Sequence, residues 1–224
     1  MIKIIRASEK PLTLMGEVAS FCWNSNPSKE IGIKCLKSNH GRVAEYPDVT
    51  ISIDEYSARM IRELYTHIIG TSRLQESTRY VNYKDFQFYI PDDAKDHETY
   101  FETFDYISKQ YKKLLEEGVS KEDAANILPL GMFTKIVLKI NLRAILYLFE
   151  LRTCMRVYEE FREFMVELQK VLENIDDEWK YIVDNFAITK CVKHGYCSEE
   201  KSCGYCDTDY FLNDVAKYRT FIGK

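Results

Sequence analysis

The chain has 224 residues, enough for one domain or for one domain with a small appendage. Hydrophobic residues make up 46%, so a core forms without metal or disulfide support. The net charge of −4 argues against a general nucleic-acid binder, and no apolar run reaches the roughly 18 residues that a membrane span needs. Because no signal peptide is apparent, we expect a cytoplasmic protein whose seven cysteines are thiols or metal ligands.

The first third of the chain alternates between strand and helix patterns. A short strand over residues 1–6 and a helix over 11–23 are predicted first, followed by a loop with some helix. Alternation over residues 49–53 predicts a second strand. Asp54 is a plausible N-cap for a helix from about residue 55 to 69, which Gly70 would end.

The middle of the chain mixes polar and aromatic residues over 71–89, which predicts a functional loop leading into a strand. Residues 95–118 follow a helical period with a charged outer face. Ser120 and Asp123 have the spacing of a capping box that opens a further helix, and Pro129 interrupts it.

Residues 127–162 are strongly apolar yet contain arginines within the apolar pattern. The apolar run predicts a helix from about 132 to 173 with a break near Asn141, which would cap its second half. On one helical face Asn141 would line up with Arg152, Arg156 and Glu160. A buried arginine there requires an anion or many acceptors; the alternative is a structural Arg–Glu pair in a helical core.

A helix over residues 176–187 precedes a cysteine-rich tail, so the predicted domains are 1–190 and 191–224. Four tail cysteines supply enough soft ligands for one structural zinc: Cys191, Cys197, Cys203 and Cys206. The alternative is a reduced tail without metal.

Ser77 and Arg79, at S-x-R spacing, offer a hydroxyl and a fork of N–H donors to one phosphate oxyanion. A surface salt bridge of Arg79 is the alternative explanation.

Several motifs in order resemble the flavin-dependent thymidylate synthases along nearly the whole chain. The element from Asn39 to Tyr46 resembles the family's histidine motif, and Ser77 to Tyr80 resembles its S-x-R-Y motif. Later matches are Leu128-Pro129, Asn141-Leu-Arg143, Leu151-Arg152 and Glu160-Phe-Arg162, followed by a cysteine tail.

This chain departs most from the family at the Arg-His-Arg motif, because Thr66-His67-Ile68 retains neither arginine. His67 aligns with the motif histidine if one residue is inserted before Ser77, and with the first arginine otherwise. Ala125 replaces the arginine before Leu-Pro, and Arg156 stands where the family often has histidine. The nucleotide-facing residues match better than the flavin-facing ones.

The resemblance implies an α+β fold with a central antiparallel sheet and long helices, assembled as a homotetramer. It implies reductive methylation of dUMP to dTMP, with methylenetetrahydrofolate as the carbon source, FAD as cofactor and NADPH as reductant. No nucleic acid or membrane partner is expected. The cofactors carry the chemistry, while the protein orients them and supplies electrostatics.

The resemblance also assigns the site residues. Ser77, Arg79 and Gln75 would bind dUMP, and Arg152 would lie against the pyrimidine as the catalytic charge stabiliser. The residues expected beside FAD are His40, His67, Ser72, Asn141 and Tyr147. Two other functions remain open: a diverged relative with a different pyrimidine-nucleotide modification, and a non-catalytic nucleotide-binding homologue.

Overall fold

A computed structural model describes residues 1–223, which contain one four-stranded sheet in the order β1-β2-β4-β3. The strands are β1 Ile2–Ala7, β2 Asp48–Ser57, β3 Thr71–Gln75 and β4 Phe133–Asn141. The register is antiparallel throughout, because β1 residues pair in reverse order with β2, β2 with β4, and β4 with β3. The predicted α+β class with a central antiparallel sheet is therefore confirmed.

Ten α-helices accompany the sheet within residues 1–223. They are α1 Pro11–Trp23, α2 Lys29–Lys37, α3 Ala58–Leu64, α4 Glu98–Glu116, α5 Lys121–Ala124, α6 Leu142–Arg152, α7 Glu159–Glu173, α8 Asp177–Phe186, α9 Lys190–His194 and α10 Asp209–Ile222. The predictions for α1, α4 and α8 agree to within three residues at each end. Among the described residues, no helix is both long and apolar enough to cross a membrane.

The chain divides into two compact units. The first contains Met1 with residues 52–66 and 73–138, and the second contains residues 2–51, 67–72 and 139–223. Tail residues 191–223 fall within the second unit. The predicted division at residue 190 stays a prediction.

The second unit depends on a close crossing of α1 and α2. A Cβ atom on Gly16 would lie 1.9 Å from the carbonyl oxygen of Ser28, and one on Gly32 would lie 2.0 Å from that of Leu12. Only glycine allows the two backbones to approach this closely. Trp179 of α8 is fully buried in this unit.

The first unit has its own aromatic core. Four buried residues form it, namely Tyr83, Tyr111, Ala124 and Met132. Beside them Phe88 stacks on Phe104 of α4 with ring centres 4.0 Å apart, an arrangement that adds to the hydrophobic gain.

The predicted helix over 132–173 is wrong in its first part, which is strand β4. Burial alternates along β4, with Ile136 and Leu138 buried and Lys135 and Lys139 exposed. This period of two places the apolar side chains on one face of the sheet. The predicted break at Asn141 is correct, because its side chain caps α6.

The predicted alignment of four polar residues on one helical face is also wrong. Arg156 lies in the connection 153–158 between α6 and α7, while Arg152 ends α6 and Glu160 lies in the first turn of α7. No single helix therefore carries them.

Two smaller corrections concern residues 54–89. Asp54 lies inside β2, and Ser57 caps α3 instead, accepting a hydrogen bond of 3.0 Å from the backbone N of Met60. The helix ends at Leu64, well before Gly70. In the next stretch the strand comes first, as β3, and the loop follows it.

Candidate functional site

Arg152, at the end of α6, is held between an imidazole and an aromatic ring. Its Nε atom donates a hydrogen bond of 2.9 Å to Nε2 of His67. The guanidinium carbon lies 4.9 Å from the ring centre of Phe161, at the start of α7. This cation–π contact and the hydrogen bond both fix the plane of the guanidinium.

His67 accepts this bond as a neutral imidazole. Burial, and secondarily the positive charge of Arg152, lower the pKa of His67 from 6.5 to about 4. With Nε2 as acceptor, the single ring proton resides on Nδ1. The ring also lies edge-on to Tyr147, with centres 6.3 Å apart. The structure thus brings the predicted catalytic residue together with two predicted cofactor residues.

Asn141 joins the turn that contains His67 to the start of α6. Its Oδ1 atom accepts a hydrogen bond of 2.9 Å from Ala144, and its backbone N donates one of 3.0 Å to the carbonyl of Gly70. Gly70 has φ +75°, and a Cβ atom there would lie 2.6 Å from Oδ1 of Asn141. Ser72, another residue predicted to lie beside the cofactor, is exposed on β3, two positions after Gly70.

A cavity of about 430 Å³ in the second unit brings together two more predicted cofactor residues, His40 and Tyr147. His40 is exposed and lies edge-on to Trp23, with ring centres 6.3 Å apart. Arg143 of α6 also lines the cavity. Sequence comparison places Arg143 inside a motif without indicating this contact.

The predicted phosphate residues lie in the first unit. The hydroxyl oxygen of Ser77 accepts a hydrogen bond of 3.3 Å from the backbone N of Arg79. Arg79 places its Nε 3.1 Å from the carboxylate of Glu122, and both side chains are more than half exposed. Such a pair stabilises the fold little, so Arg79 exchanges partners easily. Gln75 donates a hydrogen bond of 3.3 Å to Oγ1 of Thr134.

The tail cysteines come together only in part. All seven cysteines of the chain are free thiols. Cys206 interacts with Cys191 and Cys197, and burial together with these two neighbours raises its pKa to about 12. Cys203 is exposed. Within residues 1–223 no group of three or more His, Cys, Asp or Glu side chains has a geometry that holds a metal ion, so zinc stays a prediction.

Phe161 is a contributor to the site that sequence reasoning missed. It is fully buried and lies beneath the guanidinium of Arg152. Its apolar character indicates only a core position, and the contact with Arg152 depends on the fold of the connection between α6 and α7.

Comparisons with known proteins agree on one family. The family model described as thymidylate synthase complementing protein matches residues 3–176. The flavin-dependent thymidylate synthase of Pyrococcus abyssi is 32% identical over 179 residues, covering 75% of this chain and 72% of that protein. That of Thermococcus kodakarensis is 31% identical over 221 residues, covering 88% and 89%.

A solved structure shares the fold. The flavin-dependent thymidylate synthase of Helicobacter pylori, crystallised with FAD and dUMP, superimposes with a TM-score of 0.66 at 19% identity, covering 83% of this chain and 98% of that one. Together with the match over residues 3–176, these similarities show that the chain belongs to the flavin-dependent thymidylate synthase family.

Proposed function

We propose that this protein is a flavin-dependent thymidylate synthase that methylates dUMP to dTMP, with FAD as cofactor and with methylenetetrahydrofolate and NADPH as co-substrates. The observation that carries the proposal is the fixed guanidinium of Arg152, held by His67 and Phe161 in a chain of this family. The relatives' names and the FAD and dUMP in the Helicobacter pylori structure support the same assignment.

In this proposal Arg152 stabilises negative charge that develops on the pyrimidine during methyl formation. Its Nε donates to Nε2 of His67, and the two terminal nitrogens carry the other N–H donors of the guanidinium. A donor of this kind lowers the barrier by roughly 3–4 kcal/mol. The bond to His67 holds the guanidinium in one plane before the substrate arrives, so little reorganisation is required.

Ser77 and Arg79 bind the phosphate of dUMP in this proposal. The exposed Arg79 leaves Glu122 for the phosphate, since a charge-assisted bond to a dianion is stronger than a solvated ion pair. Gln75 contributes an amide from the preceding strand.

FAD, when bound, supplies the hydride that completes the methyl group. The protein fits an anionic dinucleotide, because three cationic side chains and one carboxylate line the cavity that contains His40 and Tyr147. We assign His40, His67, Ser72, Asn141 and Tyr147 to the surroundings of this cofactor. Homotetramer assembly belongs to the same proposal.

The test is an absorbance spectrum of the purified protein with FAD, then NADPH, then dUMP and methylenetetrahydrofolate. We expect flavin absorbance that bleaches with NADPH and formation of dTMP. Bleaching without dTMP would favour a different nucleotide modification. A colourless protein that binds dUMP and gains no activity from FAD would be a non-catalytic homologue. The loss of both motif arginines is the observation that favours this alternative.

A further inference from the structure

The cavity beside Tyr147 has one wall from α6 and another from the C-terminal segment. Arg143, Tyr147 and Glu150 follow one another at spacings of four and three residues, so they share one face of α6. Lys193 and His194 of α9 line the same cavity. Helix α9 begins at Lys190, beyond residue 176 where the family match ends.

The cationic groups of this cavity are each held by a partner within the protein. Lys193 forms an ion pair with Glu150, whose side chain is only 16% exposed. Arg143 pairs with Glu45. The ammonium of Lys37 lies 4.1 Å over the ring of Phe221. These partners hold the cations at the cavity walls, and an entering anion competes with Glu150 for Lys193 and with Glu45 for Arg143.

The charge balance of the lining favours an anion. Three cations, Lys37, Arg143 and Lys193, face one carboxylate, Glu150. Glu45 lies outside the lining but pairs with Arg143, so the three cations and the two carboxylates, Glu150 and Glu45, leave one net positive charge. A diphosphate suits this lining because the oxygens of its two phosphates accept charge-assisted hydrogen bonds from lysine and arginine side chains.

We propose that Lys193, with Arg143 and Lys37, forms a subsite for the diphosphate of the flavin dinucleotide, and that Glu150 holds Lys193 in place until the diphosphate binds. The inference rests on the proposed function and extends it to the C-terminal segment. It also assigns a source of the positive charge that the two missing arginines of the Arg-His-Arg motif do not supply. The flavin dinucleotide is favoured over NADPH because His40 and Tyr147 line the same cavity.

The experiment measures dissociation constants of FAD, riboflavin and NADPH by calorimetry on the full-length protein. Glu150→Gln removes the carboxylate and releases Lys193, so FAD binding should tighten. The double variant E150Q/K193Q should then bind FAD about tenfold more weakly than E150Q, the loss of one charge-assisted contact. Riboflavin lacks the diphosphate, and its affinity should be the same in all variants.

Lys190→Gln is the matched control, since Lys190 lies on the same helix and does not line the cavity. Equal FAD affinities in E150Q and E150Q/K193Q would overturn the inference, as would equal weakening of riboflavin. If loss of Lys193 weakens the binding of NADPH and not that of FAD, the assignment of the subsite to the flavin dinucleotide is overturned. These results leave the proposed function standing if the wild-type protein forms dTMP. A wild-type protein that binds no FAD would overturn both.

Discussion

Nε of Arg152 donates a hydrogen bond to Nε2 of His67 across 2.9 Å, between residues that are 85 positions apart in the chain. This contact requires a neutral imidazole, which the lowered pKa of His67 ensures at neutral pH. It joins the residue assigned to catalysis with the histidine that lies in the degenerate Arg-His-Arg segment.

The first prediction concerns Arg152 itself. Arg152→Ala should lower kcat for dTMP formation by about two to three orders of magnitude, as loss of an oxyanion donor does. Arg156→Ala is the control, because Arg156 is exposed and pairs with Glu199 at 3.0 Å. Steady-state assays of dTMP formation with both variants compare their kcat values with that of the wild type. Near-normal turnover in Arg152→Ala would exclude its assigned role.

The second prediction follows from the lowered pKa of His67. The unfolded chain takes up a proton near pH 6.5 and the folded protein only near pH 4, so the unfolded state binds more protons between these values. The stability contributed by neutral His67 is complete above pH 6.5 and decreases as the pH falls toward 4. Urea unfolding at pH 7.5 and 4.5 should show a larger loss in the wild type than in His67→Gln. An equal loss in both would mean that His67 titrates normally in the folded state.

The third prediction uses two glycines with similar backbones. Gly70 and Gly118 have φ of +75° and +89°, but only at Gly70 would a Cβ atom meet a neighbour, Asn141. Gly118→Ala should cost about 1–2 kcal/mol of unfolding free energy from the left-handed backbone. Gly70→Ala should cost roughly 1–3 kcal/mol more from overpacking. Chemical denaturation of the two variants measures the difference, and equal costs would show that Asn141 moves aside freely.

The fourth prediction concerns phosphate binding by Arg79. Arg79→Ala should weaken dUMP about tenfold or more, the loss of a charge-assisted bond. Deoxyuridine, which lacks the phosphate, should bind equally to the wild type and the variant. Glu122→Gln removes the present partner of Arg79 and should leave dUMP affinity unchanged or tighter. Equal weakening of dUMP and deoxyuridine by Arg79→Ala would assign Arg79 to another part of the site.

The fifth prediction distinguishes the tail thiols. Burial and two neighbouring cysteines raise the pKa of Cys206 to about 12, so little reactive thiolate is present at pH 8. Iodoacetamide should therefore modify exposed Cys22 and Cys203 well before Cys206. Mass spectrometry of timed samples gives the order. Stoichiometric zinc in the same preparation, with all four tail cysteines protected, would instead support the predicted metal site.

Features that depend on neighbouring residues were predictable from the sequence. Asn141 accepts a hydrogen bond from a residue three positions later, and Ser120 does the same with Asp123, so both caps follow from local spacing. The bounds of α1 follow from local periodicity with Pro11 at its first position, and those of α8 from periodicity and the Asp176 cap. The motifs that carry the family resemblance are also read directly from the chain.

Tertiary structure decided the rest, because the deciding contacts join distant residues. An apolar run such as 133–140 suits a helix or a strand equally well, and pairing with β2 and β3 in the sheet made it a strand. The partners of Arg152 are His67 and Phe161, and the partner of Glu150 is Lys193 of the tail. The spacing of residues along the chain does not predict such contacts. Their energies arise only when packing brings the side chains together and removes water from around them.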